Sequence, residues 1–139
     1  MFLAVAFTGF GAISCSSDDD KGSSSIIGKW EITKTGFLLN GNEILEDYEH
    51  QEGCSKDFTE FTNDGKMYDY SYFNYGNGCE EDVYESNYSL SGNTLNIIGE
   101  EEDVQATILT LNSSTLKVRV TFEDEDEGEM KTVAVFKRK

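Results

Sequence analysis

The chain has 139 residues and a formal net charge of −16, from 27 acidic and 11 basic side chains. That length supports one domain with a buried core. The acidity excludes a nucleic-acid partner, because no basic run exists to displace phosphate counterions, and it excludes electrostatic docking on anionic lipid.

Residues 2–13 (FLAVAFTGFGAI) are apolar and uncharged, and they run into Ser14-Cys15 and then Ser16-Ser17-Asp18-Asp19-Asp20-Lys21. So short a run cannot span a bilayer, but it fits the core of a signal peptide. The small residue before Cys15 and the polar turn after it resemble a bacterial lipoprotein signal. There the cysteine becomes the lipid-modified first residue of the mature protein. The expected division is a signal peptide over 1–14, lipidated Cys15 with a flexible polar tether over 15–25, and a folded domain over 26–139. Met1-Phe2-Leu3 carries no Lys or Arg, so a lost basic region ahead of the apolar run is expected. Two or three acyl chains on Cys15 would anchor the protein stably where one would not.

Beyond the tether, period-two alternation and tight-turn residues dominate, and capped helical patterns are absent. Ile26 to Lys34 predicts a first strand with Trp30 and Ile32 on one face. Asn40-Gly41-Asn42 turns the chain toward Glu43-Ile44-Leu45. Phe58 to Thr62 and Lys66 to Phe73 flank Asn63-Asp64-Gly65, a hairpin signal because Asp-Gly accepts positive φ. Val83 to Leu90 and Thr94 to Ile98 flank Ser91-Gly92-Asn93. Val104 to Leu111 and Thr115 to Phe122 flank Asn112-Ser113-Ser114. Glu129 to Lys137 follows an acidic turn as the last strand. Strands joined so closely predict an all-β, antiparallel up-and-down barrel of about eight strands, a closed form that leaves no exposed edge.

Three cysteines divide into the lipid candidate Cys15 and a pair, Cys54 and Cys79. In an exported domain that pair is expected to form a disulfide. Both lie in turns just outside the predicted strands. With a single histidine, His50, and no C-x-x-C, zinc has too few ligands.

Gly28-Lys29-Trp30 at the first strand resembles the G-x-W pattern of lipocalins. Phe61 with Asn63-Asp64-Gly65-Lys66, then Asn87 to Leu95, then Leu111 to Leu116 and Phe136-Lys137-Arg138 continue the likeness. Together they resemble the lipocalin-like lipoproteins of Bacteroidota, which are small and exported. The resemblance implies that Trp30 closes one end of the barrel and that Arg138 stacks across it. It also implies a lipid-anchored protein of the outer membrane that binds a small apolar or amphipathic ligand, or else a surface module with a filled core that recognises a protein or glycan. The acidic run after Cys15 resembles the export signal of surface lipoproteins. A monomer without cofactor is expected.

Tyr68, Tyr70 and Tyr72 share one strand face, and Tyr84 and Tyr88 share a face of the next. Either group could line a ligand cavity or simply pack across the sheet. Met67, Asp69, Ser71 and Phe73 occupy the other face of the first of these strands, so the inward face is open at this point, with Tyr70 and Tyr88 favoured for it. The acidic clusters do not make an EF-hand. With Gly128 as sixth position, the twelfth is Ala134 rather than glutamate. No G-x-S-x-G occurs, and His50 reads as an exposed loop residue, so no catalytic site and no enzyme is expected.

Overall fold

The structure is a computed structural model that describes residues 25–126 and 128–139; the expected signal peptide, Cys15 and the tether up to residue 24 lie outside the described residues. Among the described residues nine strands follow one another: β1 Gly28–Leu39, β2 Asn42–Asp47, β3 Phe58–Phe61, β4 Lys66–Asn74, β5 Cys79–Ser91, β6 Thr94–Ile98, β7 Asp103–Leu111, β8 Thr115–Asp124 and β9 Gly128–Arg138. Each neighbour pair is antiparallel, and β9 returns to pair with β1. The sheet therefore closes into the expected barrel.

Nine strands fill eight positions because one position is interrupted. One edge of β1 pairs with β3 over Gly28–Glu31 and with β2 over Lys34–Leu39. β2 and β3 are thus two halves of one wall position, separated by an excursion over residues 48–57. The other edge of β1 carries β9 along Trp30–Phe37.

β1 runs to Leu39, beyond the Lys34 expected from alternation. A β-bulge explains the miss. The β9 partners step from Phe136 to Val135 while the β1 partners step from Ile32 to Lys34, leaving one extra residue in β1. That residue resets which side chains point inward. Trp30 and Ile32 face in before the bulge, and Thr35 and Phe37 face in after it. Gly36 sits where β1 and β2 nearly touch: a Cβ there would lie 1.9 Å from the Ile44 carbonyl oxygen. Only glycine admits that approach.

β5 begins at Cys79, four residues ahead of the expected Val83. Its first half pairs with β4 alone among the described residues. Glu80, Glu81, Asp82 and Glu85 place charge along that edge, which discourages pairing with another chain.

The core gathers in one half of the barrel. Trp30, Phe61, Met67, Leu95, Ala106, Ile108, Leu116 and Val118 are buried together with Ile26. This half is closed by the turns at 62–65, 91–93 and 112–114. The opposite half opens at the turns following β1, β4, β6 and β8.

Candidate functional site

The closed end is built on Trp30, which is fully buried. Its indole N–H donates to the Ile26 carbonyl at 2.8 Å. Burying the indole therefore leaves no orphaned donor. The Arg138 guanidinium covers the ring, with Cζ 4.1 Å from its centroid. It also donates to three backbone carbonyls: Ser113 from Nε at 2.9 Å, Ile27 from Nη1 at 3.0 Å and Ser25 from Nη2 at 2.7 Å. One side chain thus ties the entry segment, the β7–β8 turn and the end of β9 over the tryptophan. Gly28 makes room for it. Its φ is +131°, and a Cβ would stand 2.8 Å from Nη1.

Above this floor the lumen is open. One chamber, of about 490 Å³, is lined by Thr35, Phe37, Val118, Val120, Thr132 and Ala134, with Glu46 and Met130 toward the mouth. The register explains the lining. Val118 faces Ala134, which faces Thr35, and Val120 faces Thr132, which faces Phe37. Nearer the rim, Phe37, Ile44, Tyr84 and Phe122 keep 40, 40, 49 and 43% of their surface exposed on this inward-facing set of positions. Large apolar side chains turned into an unfilled lumen are the usual wall of a small-molecule site.

A second chamber, of about 330 Å³, lies one rung lower along β1 and β9. Ile32, Phe58 and Phe136 give it apolar walls, Thr59, Asp69 and Ser71 give it polar ones, and Tyr48, Asp57 and Tyr70 border it beside the excursion. The Thr59 hydroxyl donates to Asp69 Oδ1 at 2.5 Å. Asp69 is half-buried, and desolvation pushes its carboxyl above the ordinary value despite that hydrogen bond.

The excursion over 48–57 seals the gap that β2 leaves beside β4. Its clasp is polar. Tyr48 donates to Asp57 Oδ2 at 2.6 Å, and this bond pushes the Tyr48 hydroxyl up to about 12. Asp57 Oδ1 accepts from the Tyr72 backbone N–H, and Gln51 Oε1 accepts from that of Asn74. His50 is not the exposed residue expected from its polar surroundings. It is half-buried, and both ring nitrogens are used. The Asp57 N–H donates to Nδ1 at 3.0 Å, so Nδ1 accepts; Nε2 then carries the proton and donates to the Ile32 carbonyl at 3.0 Å. Cys54 and Cys79 are joined, with Cα atoms 5.7 Å apart, and pin the excursion to the start of β5. Among the described residues, no group of three or more His, Cys, Asp or Glu side chains is placed to hold a metal ion.

The tyrosines divide differently from expectation. Met67 pairs with Phe61 in the core, so the pleat turns Tyr68, Tyr70 and Tyr72 outward. Tyr70, favoured for the lumen, stacks on Phe58 at 4.3 Å, and the pair borders the smaller chamber from the wall rather than facing the larger one. Tyr72 donates to Glu81 at 2.8 Å, and desolvation with this bond pushes its hydroxyl up to about 12. The stripe misled because it is the more aromatic face; the true inner face carries Met67, Asp69, Ser71 and Phe73. Tyr84 and Tyr88 do face inward. Tyr88 sets its edge against Phe61 at 5.0 Å and donates to the Thr62 carbonyl at 2.6 Å, so it packs the closed half. Tyr84 stands at the rim, where its hydroxyl accepts from the Glu100 N–H at 3.4 Å. The chamber residues Phe37, Val118, Val120, Thr132 and Ala134 escaped sequence reasoning. Their alternation in β8 and β9 was visible; which end of the barrel they reach depends on register.

Residues 26–118 match the sequence pattern of the lipocalin-like domain family. The chain belongs to that family. As a lipocalin-like domain it is also similar to solved structures. Bovine odorant-binding protein in complex with undecanal is 13% identical, with a TM-score of 0.47, over 89% of this chain and 77% of that one. Lobster apocrustacyanin A1 is 17% identical, with a TM-score of 0.48, over 81% and 60%. A dog lipocalin allergen is 12% identical, with a TM-score of 0.47, over 83% and 74%. No curated protein sequence matches the chain.

Asp69 gives this lipocalin-like domain a testable pH dependence. Its native carboxyl lies above the ordinary 3.8, so the folded state holds the proton more tightly than the unfolded chain. Ionising it weakens the fold as pH rises from about that ordinary value through the raised native one. Asp69→Asn keeps an acceptor for Thr59 and removes the penalty. Thermal unfolding is expected to show a higher Tm than wild type at pH 7, with the gain fading by pH 3. An equal or lower Tm at pH 7 would contradict this.

Proposed function

We propose that this protein is a lipid-anchored binding protein of the cell envelope that holds a small apolar or amphipathic ligand in the open half of its barrel. The observation that carries the reading is the 490 Å³ chamber, open at the mouth and lined by inward-facing Val118, Val120, Ala134 and Phe37. A filled core would place side chains there instead. Membership of the lipocalin-like family supports a binding role, by fold-level analogy. The chain acts as a monomer and not as an enzyme; its one histidine has both nitrogens in structural hydrogen bonds.

Titration with the neutral probe N-phenyl-1-naphthylamine tests this. Saturation at about one probe per chain is expected, and Phe37→Ala should weaken it with only a modest fall in Tm, because Phe37 keeps 40% of its surface exposed. No saturable binding would defeat the proposal.

Anchoring follows from the apolar run, Ser14, Cys15 and the acidic tether. Acyl chains on Cys15 would hold the domain to the outer membrane, and the acidic run would direct it to the cell surface. In cells fed a clickable fatty acid, wild type should incorporate label and sediment with membranes, and Cys15→Ala should do neither. Equal labelling of the two would reject the anchor.

The outer tyrosines favour a second reading, recognition of a partner at the surface. Phe58 stacked on Tyr70, with Lys139 Nζ 5.0 Å and Lys29 Nζ 5.6 Å from the Phe58 ring, forms an aromatic and cationic patch on an acidic protein.

A further inference from the structure

The inner wall above Trp30 carries charge of one sign. Glu46 stands opposite Thr35, Asp69 opposite Thr59, and Glu80 and Asp82 share the inward alternation of Tyr84 and Ser86. The cations of the strands point the other way. Lys34, Lys66, Lys117 and Lys131 pair on the outside with Asp47, Glu85, Glu43 and Glu129. Arg119 lies opposite Val133, between inward Val118 and Val120. Arg138 is spent on the closed end.

Asp69 is the deepest of these acids and has one partner, the Thr59 hydroxyl. Among the described residues no cation pairs with it. A half-buried carboxylate with a single neutral donor is electrostatically incomplete. It borders a 330 Å³ chamber whose other walls include Ile32, the Phe136 ring and Asp57, whose two oxygens already accept from the Tyr48 hydroxyl and the Tyr72 N–H. The larger apolar chamber lies directly above. A charge-complementary occupant has a cation at one end and a hydrocarbon body at the other.

We propose that the lumen selects cationic amphiphiles of the alkylammonium class, with the ammonium seated against Asp69 beside Phe136 and the chain lying along Val118, Val120 and Ala134 toward the mouth. This rests on the reading that the open half of the barrel binds a ligand, and it assigns that ligand's chemistry. The Phe136 face adds attraction for the cation, and the apolar walls accept the chain without a polar penalty.

The test is displacement of N-phenyl-1-naphthylamine from the full chain by dodecylammonium, 1-dodecanol and dodecanoate. A charge-assisted contact contributes enough to favour the ammonium over the alcohol by about tenfold or more, and dodecanoate should be weakest. Asp69→Asn should bring the ammonium to the level of the alcohol and leave the alcohol unchanged. Glu85→Gln, on the outer face, should alter nothing. Raising the salt to about 0.5 M screens exposed charges over a few ångströms, so a preference set by Asp69 should persist. Equal displacement by ammonium and alcohol in wild type, or a preference that salt abolishes, overturns this inference and leaves the binding reading intact. Failure of the neutral probe to bind overturns both.

Discussion

Trp30→Ala is expected to cost about 3–5 kcal/mol of unfolding free energy, the range for truncating a large buried aromatic. Trp30 is fully buried, and its removal acts on more than its own contacts. The Arg138 guanidinium would lose the ring beneath it while still bridging Ser25, Ile27 and Ser113. Three chain segments are joined through that one side chain. For a domain with a total stability of about 5–15 kcal/mol, that loss is a large fraction of the whole. Urea denaturation followed by far-ultraviolet circular dichroism should show a much lower midpoint with an unchanged slope. Trp30→Phe keeps a ring under Arg138 but leaves the Ile26 carbonyl without its donor, so an intermediate loss is expected. Wild-type stability in Trp30→Ala, with only ligand binding reduced, would place Trp30 in a site rather than in the scaffold.

Opening the disulfide should be the next largest effect. Cys54 and Cys79 are 25 residues apart in sequence. On the chain-entropy account, a loop of that length stabilises the native state by about 3 kcal/mol, and Cys54→Ser with Cys79→Ser should lose it. The loss has a local component as well. Without the bridge, the excursion over 48–57 is held by the Tyr48, His50 and Asp57 hydrogen bonds and by Gln51. Tyr72 and Asn74 depend on Asp57 and Gln51 as backbone acceptors. Their amide hydrogens should exchange faster in the double variant, while those of β8 and β9 change only with global stability. A reduced protein with the oxidised Tm would contradict both parts.

Much of the barrel was legible because short turns and alternation each encode one hairpin. Asp64-Gly65 and Ser91-Gly92-Asn93 gave their hairpins directly, and Trp30 with Arg138 could be paired through the family resemblance. Three features were hidden for distinct physical reasons. The bulge in β1 breaks alternation, so Thr35 to Leu39 did not read as strand and Phe37 was missed. The interrupted position shared by β2 and β3 depends on pairing with β1 across the excursion, which no local pattern records. The face of the Tyr68–Tyr72 stripe was settled by Met67 meeting Phe61, a contact between strands. His50 illustrates the same limit: its neighbours in sequence are polar, but its partners are the Ile32 carbonyl and the Asp57 amide.

The central claim is that a ligand enters the open half of the lumen rather than sitting on the outer tyrosine face. Backbone amide chemical-shift mapping during titration with N-phenyl-1-naphthylamine tests it most directly. The expected result is saturable shifts at Thr35, Phe37, Val118, Val120, Thr132 and Ala134, which line the chamber, with outward-facing Tyr68 unmoved. Shifts centred on Phe58 and the outward tyrosines, with a silent lumen, would contradict the account.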